Sequence, residues 1–175
     1  MQEILQKHIF LIGFMGAGKS AIAKGLEKRF GCARVEMDQA IEEQQNMTIN
    51  EIFAQRGEEA FRQIETEFLK EIAQQEACVV SCGGGVVLRE ENIALMKQSG
   101  TVIYLSATPE TIYERVHRST HRPLLNGHMD VEYIAQMLTA RLPHYQKAMD
   151  LAIVTDEKSK EDIVSEIAEA VRANM

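Results

Sequence analysis

Long apolar runs are missing from this 175-residue sequence, where no stretch exceeds the short run His8-Ile9-Phe10-Leu11-Ile12. A membrane-crossing helix needs about 20 such residues, so none is expected. A basic start followed by an apolar stretch and a small-residue cleavage site is missing too, and MQEILQKHIF does not read as a secretory signal. Cysteine is scarce. Cys32, Cys78 and Cys82 have neither metal-ligand nor redox-pair spacing, which points to a reducing, cytoplasmic compartment. Repeats, low-complexity tracts and linkers are absent, and the length fits one domain over 1–175. Positive charge is in deficit, with 19 Lys and Arg against 26 Asp and Glu and a net charge of −7. That balance excludes a surface built to coat nucleic acid.

The deficit is uneven. From Tyr113 to Lys147 the basic residues Arg115, Arg118, Arg122, Arg141 and Lys147 outnumber Glu114, Asp130 and Glu132. Four of the five histidines fall in the same stretch. A local basic surface on an acidic chain suits a small anionic ligand, although a solvated helix face gives the same count.

What is present is a glycine loop, Gly13 to Ser20, read GFMGAGKS. It follows the apolar run at residues 8–12 and precedes a segment with Ile22, Leu26 and Phe30 at helical spacing. Strand, glycine loop, Lys-Ser and helix are the context a phosphate-binding loop requires. Glycines such as Gly16 and Gly18, with Ala17 between them, let backbone N–H groups face inward, and the helix start adds its positive dipole. Lys19 is placed to bridge the β- and γ-phosphates, and the Ser20 hydroxyl to ligate Mg²⁺. Ala21 opens the helix behind them. The chain is expected to bind a nucleoside triphosphate.

Further strand candidates at 34–37, 78–82, 101–105 and 151–154 alternate with helical patterns, which predicts a parallel α/β sheet. Thr48-Ile49-Asn50-Glu51 reads as a capping box for a helix ending near Gly57, and Glu58 to Gln75 as the next helix, with Phe61, Ile64, Phe68 and Ile72 inward. Two connections are long: an insertion at about 38–77 and a basic segment at about 117–129, read as a lid. Ligands bind beyond the C-terminal ends of parallel strands, so the residues there carry the chemistry.

After the second strand stand Glu36 and Asp38; Asp38 fits a helix N-cap, and the pair also fits a Mg²⁺-linked acid with a base for an attacking hydroxyl. After the third comes Gly83-Gly84-Gly85, costly in backbone entropy and suited to a ligand's close approach. Cys82 reads as a small buried strand residue before a nucleophile. Arg62 has Glu58 and Glu65 in reach as ordinary ion-pair partners, and Arg141 precedes an interrupted helix, Leu142-Pro143-His144-Tyr145. Arg122, in Arg122-Pro123-Leu124-Leu125, has the position of an arginine closing over phosphates. His117 and His121 lack a third metal ligand.

In this order, GFMGAGKS, Glu36-Met37-Asp38, Ile52-Phe53, Glu59-Ala60-Phe61-Arg62-Gln63-Ile64-Glu65, the triple glycine, Arg122-Pro123-Leu124-Leu125 and Arg141-Leu142-Pro143-His144-Tyr145 resemble the shikimate kinase family over nearly the whole chain. The resemblance implies a three-layer α/β/α P-loop fold of the nucleoside-monophosphate-kinase type, with a five-stranded parallel sheet in order 2-3-1-4-5. It implies transfer of the ATP γ-phosphoryl to the 3-hydroxyl of shikimate, with Mg²⁺ as cofactor. By position Asp38 matches the acid that accepts from the shikimate hydroxyl, Arg62 and Arg141 the carboxylate clamp, and Gly83 to Gly85 the ring-lining loop. Arg122 matches the lid arginine, Arg115 an arginine packed on adenine, and the loop 155–160 the cover on the other side of the base. Glu36 stands where the family usually has Asp, associated with Mg²⁺ through water, and Ala21 replaces a frequent Thr.

Two other functions share some of these features. A nucleotide switch would need Asn-Lys-x-Asp or Asp-x-x-Gly elements, which the chain lacks. A gluconate or nucleoside monophosphate kinase would not need the paired arginines and triple glycine. Nothing demands more than a monomer, without nucleic-acid or membrane partners.

Overall fold

Five parallel strands form the centre of the computed structural model, which describes residues 3–118 and 130–174. In chain order they are β1 (His8–Ile12), β2 (Ala33–Glu36), β3 (Cys78–Ser81), β4 (Gly100–Ser106) and β5 (Leu151–Val154). The helices are α1 (Lys19–Phe30), α2 (Met37–Gln45), α3 (Ile49–Ala73), α4 (Glu90–Ser99), α5 (Pro109–His117), α6 (Val131–Ala148) and α7 (Lys160–Ala173). The strand order is β2-β3-β1-β4-β5, as the resemblance implied. β1 sits in the middle with every residue buried, which is why it reads as an unbroken apolar run. Phe10 pairs with Val80 on one side and with Val102 on the other.

Alternation along the strands splits the core in two. Phe10, Ile12, Val80, Val102 and Tyr104 face Phe68 and Ile72 of α3, Met96 of α4, and Tyr145 and Ala148 of α6. Ile9, Leu11, Val79, Ile103 and Ile153 face Ile22, Leu26 and Phe30 of α1 and Ile163, Ile167 and Val171 of α7. The result is three layers, α/β/α. A third cluster of Phe14, Ile112, Val116 and Ile134 seats α5 and α6 beside the glycine loop.

Local sequence sets most of the helix starts. The Thr48 hydroxyl accepts from Glu51 N at 3.1 Å while Thr48 N donates to Glu51 Oε2 at 2.9 Å, closing the expected box. Thr108, Asp130 and Ser159 cap α5, α6 and α7 in the same manner. Within α3, Gly57 takes φ 85° and ψ 170° and breaks the axis into the two expected helices. Two expectations change. The helix read from Asp130 to Tyr145 with an interruption after Arg141 runs unbroken through Pro143 to Ala148, because Tyr145 and Ala148 are both core residues. Asp38 is not an N-cap: α2 begins at Met37, Asp38 lies in its first turn, and the capping position is Glu36. No described helix is long and apolar enough to cross a membrane.

Candidate active site

The C-terminal ends of the strands open onto a cleft of about 990 Å³, lined on one side by the glycine loop and on the other by α2, the start of α3 and the loop after β3. Gly16 has φ 80°, and a Cβ there would come within 2.8 Å of Val116 on α5, so the loop turns tightly against that helix. Gly18 is left-handed at φ 95° and caps α1 through its backbone alone, leaving the N–H groups at the helix start facing the cleft. Lys19 Nζ donates to the carbonyls of Gly13 (2.6 Å) and Phe14 (3.2 Å), which holds it along the loop. Ala17 is buried against the sheet, and Gly16, Gly18, Ser20 and Ala21 line the cleft.

Arg115, projecting from α5, braces this loop. Its Nη1 donates to the carbonyls of Gly16 (3.1 Å) and Ala17 (3.2 Å) and to Thr155 Oγ1 (3.2 Å), and its Nη2 to the Thr155 carbonyl (3.3 Å). One guanidinium therefore ties the phosphate loop to the start of the loop after β5. That is where an adenine would lie under the family resemblance.

The other half of the cleft gathers charged groups from three helices onto the triple glycine. None of Gly83, Gly84 and Gly85 has positive φ. They are glycines for lack of space. A Cβ on Gly83 would sit 2.7 Å from Asp38 Oδ1, one on Gly84 3.3 Å from Arg141 Nη1, and one on Gly85 2.7 Å from the Arg62 guanidinium carbon. The close approach expected from the sequence is thus made by the protein's own side chains. Arg141 Nη1 donates to the Gly84 carbonyl at 3.2 Å, and its guanidinium lies 5.6 Å from the centre of the Phe14 ring. Tyr145, stacked on Tyr104 with centroids 4.7 Å apart, donates to the same carbonyl at 3.4 Å.

Arg62 keeps its ordinary partners and faces the cleft loop as well. Its Nη1 binds Glu65 Oε1 at 2.6 Å, and Glu58 lies 3.6 Å from Nη2. Glu65 is fully buried, which pushes its carboxyl pKa up against the pull of Arg62. Among the described residues Arg62 Nε and Glu65 Oε2 are buried without a hydrogen-bond partner, an arrangement costly unless a ligand completes it. Burial among these elements also raises the Asp38 carboxyl, while Lys19 and Arg62 pull it down and Glu42 and Glu36 push it up. Its exposed side is the cleft itself.

Glu36 ends β2 with its carboxylate over the glycine loop. The Ser20 hydroxyl donates to Glu36 Oε2 at 2.8 Å, and Arg34 Nη1 binds Oε1 at 2.7 Å. The two acids therefore separate: Glu36 belongs to the phosphate side, and Asp38 to the triple glycine.

Of the residues singled out in the sequence, Gly16 to Ala21, Glu36, Asp38, Arg62, Gly83 to Gly85, Arg115 and Arg141 gather around this one cleft. Arg122 and His121 lie outside the described residues, as does the lid at 117–129 apart from His117 and Arg118. His117 stacks on Tyr113 at 5.3 Å. Burial pushes the Cys82 thiol far up, as suits a strand residue rather than a nucleophile. The sequence reading missed Arg34, the contact of Thr155 with Arg115 and the buried state of Glu65. A signal existed only for Glu65, three residues after Arg62 on a helix.

A phosphate loop facing a pocket where paired arginines meet the Asp38 carboxylate defines a P-loop kinase for a small anionic acceptor. The shikimate kinase family model matches residues 15–172, and the chain belongs to that family. It is similar to the shikimate kinase of Geobacter metallireducens, with 42% identity over 92% of this chain and 89% of that one. The shikimate kinase of Dehalococcoides mccartyi is 38% identical over 96% and 95% of the two chains. Among solved structures, a shikimate kinase from Acinetobacter baumannii in complex with shikimate superposes with a TM-score of 0.87 at 32% identity, covering 96% of this chain and 94% of that one. A gluconokinase from Sinorhizobium meliloti, at 16% identity and TM-score 0.60, shares the fold.

Proposed function

We propose that this chain phosphorylates the 3-hydroxyl of shikimate with ATP, giving shikimate 3-phosphate and ADP, and that the residues just described carry the reaction. The observation that supports this most is the convergence of Arg62, Arg141 and Asp38 on one glycine loop, opposite Lys19. Shikimate has one carboxylate and a set of ring hydroxyls. Two guanidinium forks suit the carboxylate, and Arg62 Nε, which has no partner among the described residues, can donate to it. Glycine backbone lets a ring lie close, with a hydroxyl donating to Asp38.

In the transfer, the acceptor oxygen attacks the γ-phosphorus as the bond to the bridging oxygen of ADP breaks. The hydroxyl proton passes to Asp38, the carboxylate that faces the cleft beside the triple glycine. Lys19 and the N–H groups at the start of α1 hold charge that builds on the phosphate oxygens. The donor set fits Mg²⁺: a hydroxyl and an oxygen-only acid side by side, with phosphates to supply the rest. Ser20 would hold the ion directly and Glu36 through a water, and the ion would supply positive charge to neutralise the phosphates. Arg122 is assigned to the phosphates from sequence alone.

ATP turnover read as ADP, with shikimate, gluconate, AMP and no acceptor compared side by side, tests the proposal. Turnover should require shikimate. Equal turnover with gluconate or AMP, or none above the acceptor-free rate, would overturn it.

A further inference from the structure

We propose that Arg34 is a positioning residue for Glu36 and thereby sets how tightly the enzyme–nucleotide complex holds its divalent cation. The inference rests on the reading of Glu36 as the acid behind a metal-bound water. Arg34 and Glu36 lie two apart on β2, so their side chains leave the same face of the strand. Arg34 Nη1 grips Glu36 Oε1 at 2.7 Å, and Arg34 Nε grips Glu27 Oε2 of α1 at 3.1 Å. The remaining oxygen, Oε2, faces Ser20 at 2.8 Å.

β2 is an edge strand whose residues are exposed or half-buried, so packing alone gives Glu36 little restraint. Glutamate also has one more rotor than aspartate to hold in place. The arginine fork, itself anchored on α1, removes that freedom and leaves Oε2 aimed at the place where Ser20 would meet the ion. With the Ser20 oxygen on a cation, its hydroxyl would no longer donate to Oε2, and that oxygen could accept from a water instead. The Arg34 charge acts against this by repelling a cation. Glu27 offsets that repulsion, and interactions among partly exposed charges are weak in water, so positioning dominates.

Mn²⁺ binding to the full-length enzyme with ADP, followed by the electron paramagnetic resonance of free Mn²⁺, reads this without turnover. Arg34→Leu should weaken Mn²⁺ binding about three- to tenfold, less than the roughly 10- to 100-fold expected for a direct outer partner. Arg34→Lys, a milder change, should fall between Arg34→Leu and the unmodified protein, and metal-free ADP binding should not move. In a Glu36→Asp background Arg34→Leu should have no effect, because the shorter carboxylate cannot span Arg34 and Ser20. If Arg34→Leu leaves binding unchanged or tighter while Glu36→Gln weakens it, the role of Arg34 is overturned. Equal weakening in both backgrounds overturns it too, since the arginine would then act through the fold. If Glu36→Gln itself has no effect, the assignment of Glu36 to the metal falls first.

Discussion

At the scale of single residues, Arg62 and Arg141 each engage more than one neighbour. Arg62 neutralises the buried Glu65 and still presents unsatisfied donor capacity at Nε. Arg62→Lys keeps the charge and loses the planar fork, so acceptor binding should weaken by about 1.5–3 kcal/mol, the scale of a charged hydrogen bond. Nucleotide affinity should hardly change. Calorimetric titration with shikimate and with ADP separates the two, and equal weakening of both would move Arg62 to the phosphates. On the proposed mechanism Asp38→Asn removes the proton acceptor. Turnover should fall by about 10² to 10⁴ while shikimate still binds, as single-turnover measurements would report.

Elements show where reading from sequence succeeds and where it stops. The glycine loop, the strand before it and the capping box at Thr48 were legible because each depends on residues within a few positions. The helix at 130–145 was read too, but not that α6 passes Pro143 without interruption and reaches Ala148, because burial of Tyr145 and Ala148 against distant strands decides it. Nor was the pairing of Arg34 with Glu27 and Glu36, which joins the end of α1 to a sheet edge. The triple glycine was read as a place where a ligand approaches closely, and the close neighbours in the structure are side chains from α2, α3 and α6. Gly85→Ala should therefore act at a distance from the phosphates. Its new methyl would displace Arg62, raising the KM for shikimate at least tenfold and leaving the KM for ATP within about twofold, because 1.4 kcal/mol already corresponds to tenfold in binding. Initial-rate kinetics with each substrate varied in turn check this.

The whole molecule is held from the end of the sheet opposite the cleft as well. There His8, 4% exposed, accepts the Cys78 N–H through Nδ1 at 3.2 Å, a bond that requires this nitrogen to be unprotonated. Burial lowers the His8 pKa. The unfolded chain therefore takes up a proton at a higher pH than the folded one. Stability is full above the ordinary histidine value of about 6.5 and falls as pH drops through it, by up to about 1.4 kcal/mol per pH unit. Thermal melts between pH 7 and pH 5 should slope downward in the unmodified protein and be flatter in His8→Asn, whose side-chain oxygen can still accept the amide. Parallel slopes would remove His8 as the cause.

The glycine loop after β3 bears on how this protein can change over generations. Its three residues are each pressed by a charged group from a different helix, so any side chain gained there disturbs one of Asp38, Arg62 or Arg141 at once. Drift is closed at residues 83–85 and stays open on the helices that meet them. A descendant acquiring a taste for another acceptor would have to rewrite α2, α3 or α6 around an unchanged loop, and three invariant glycines would be the last trace of its origin.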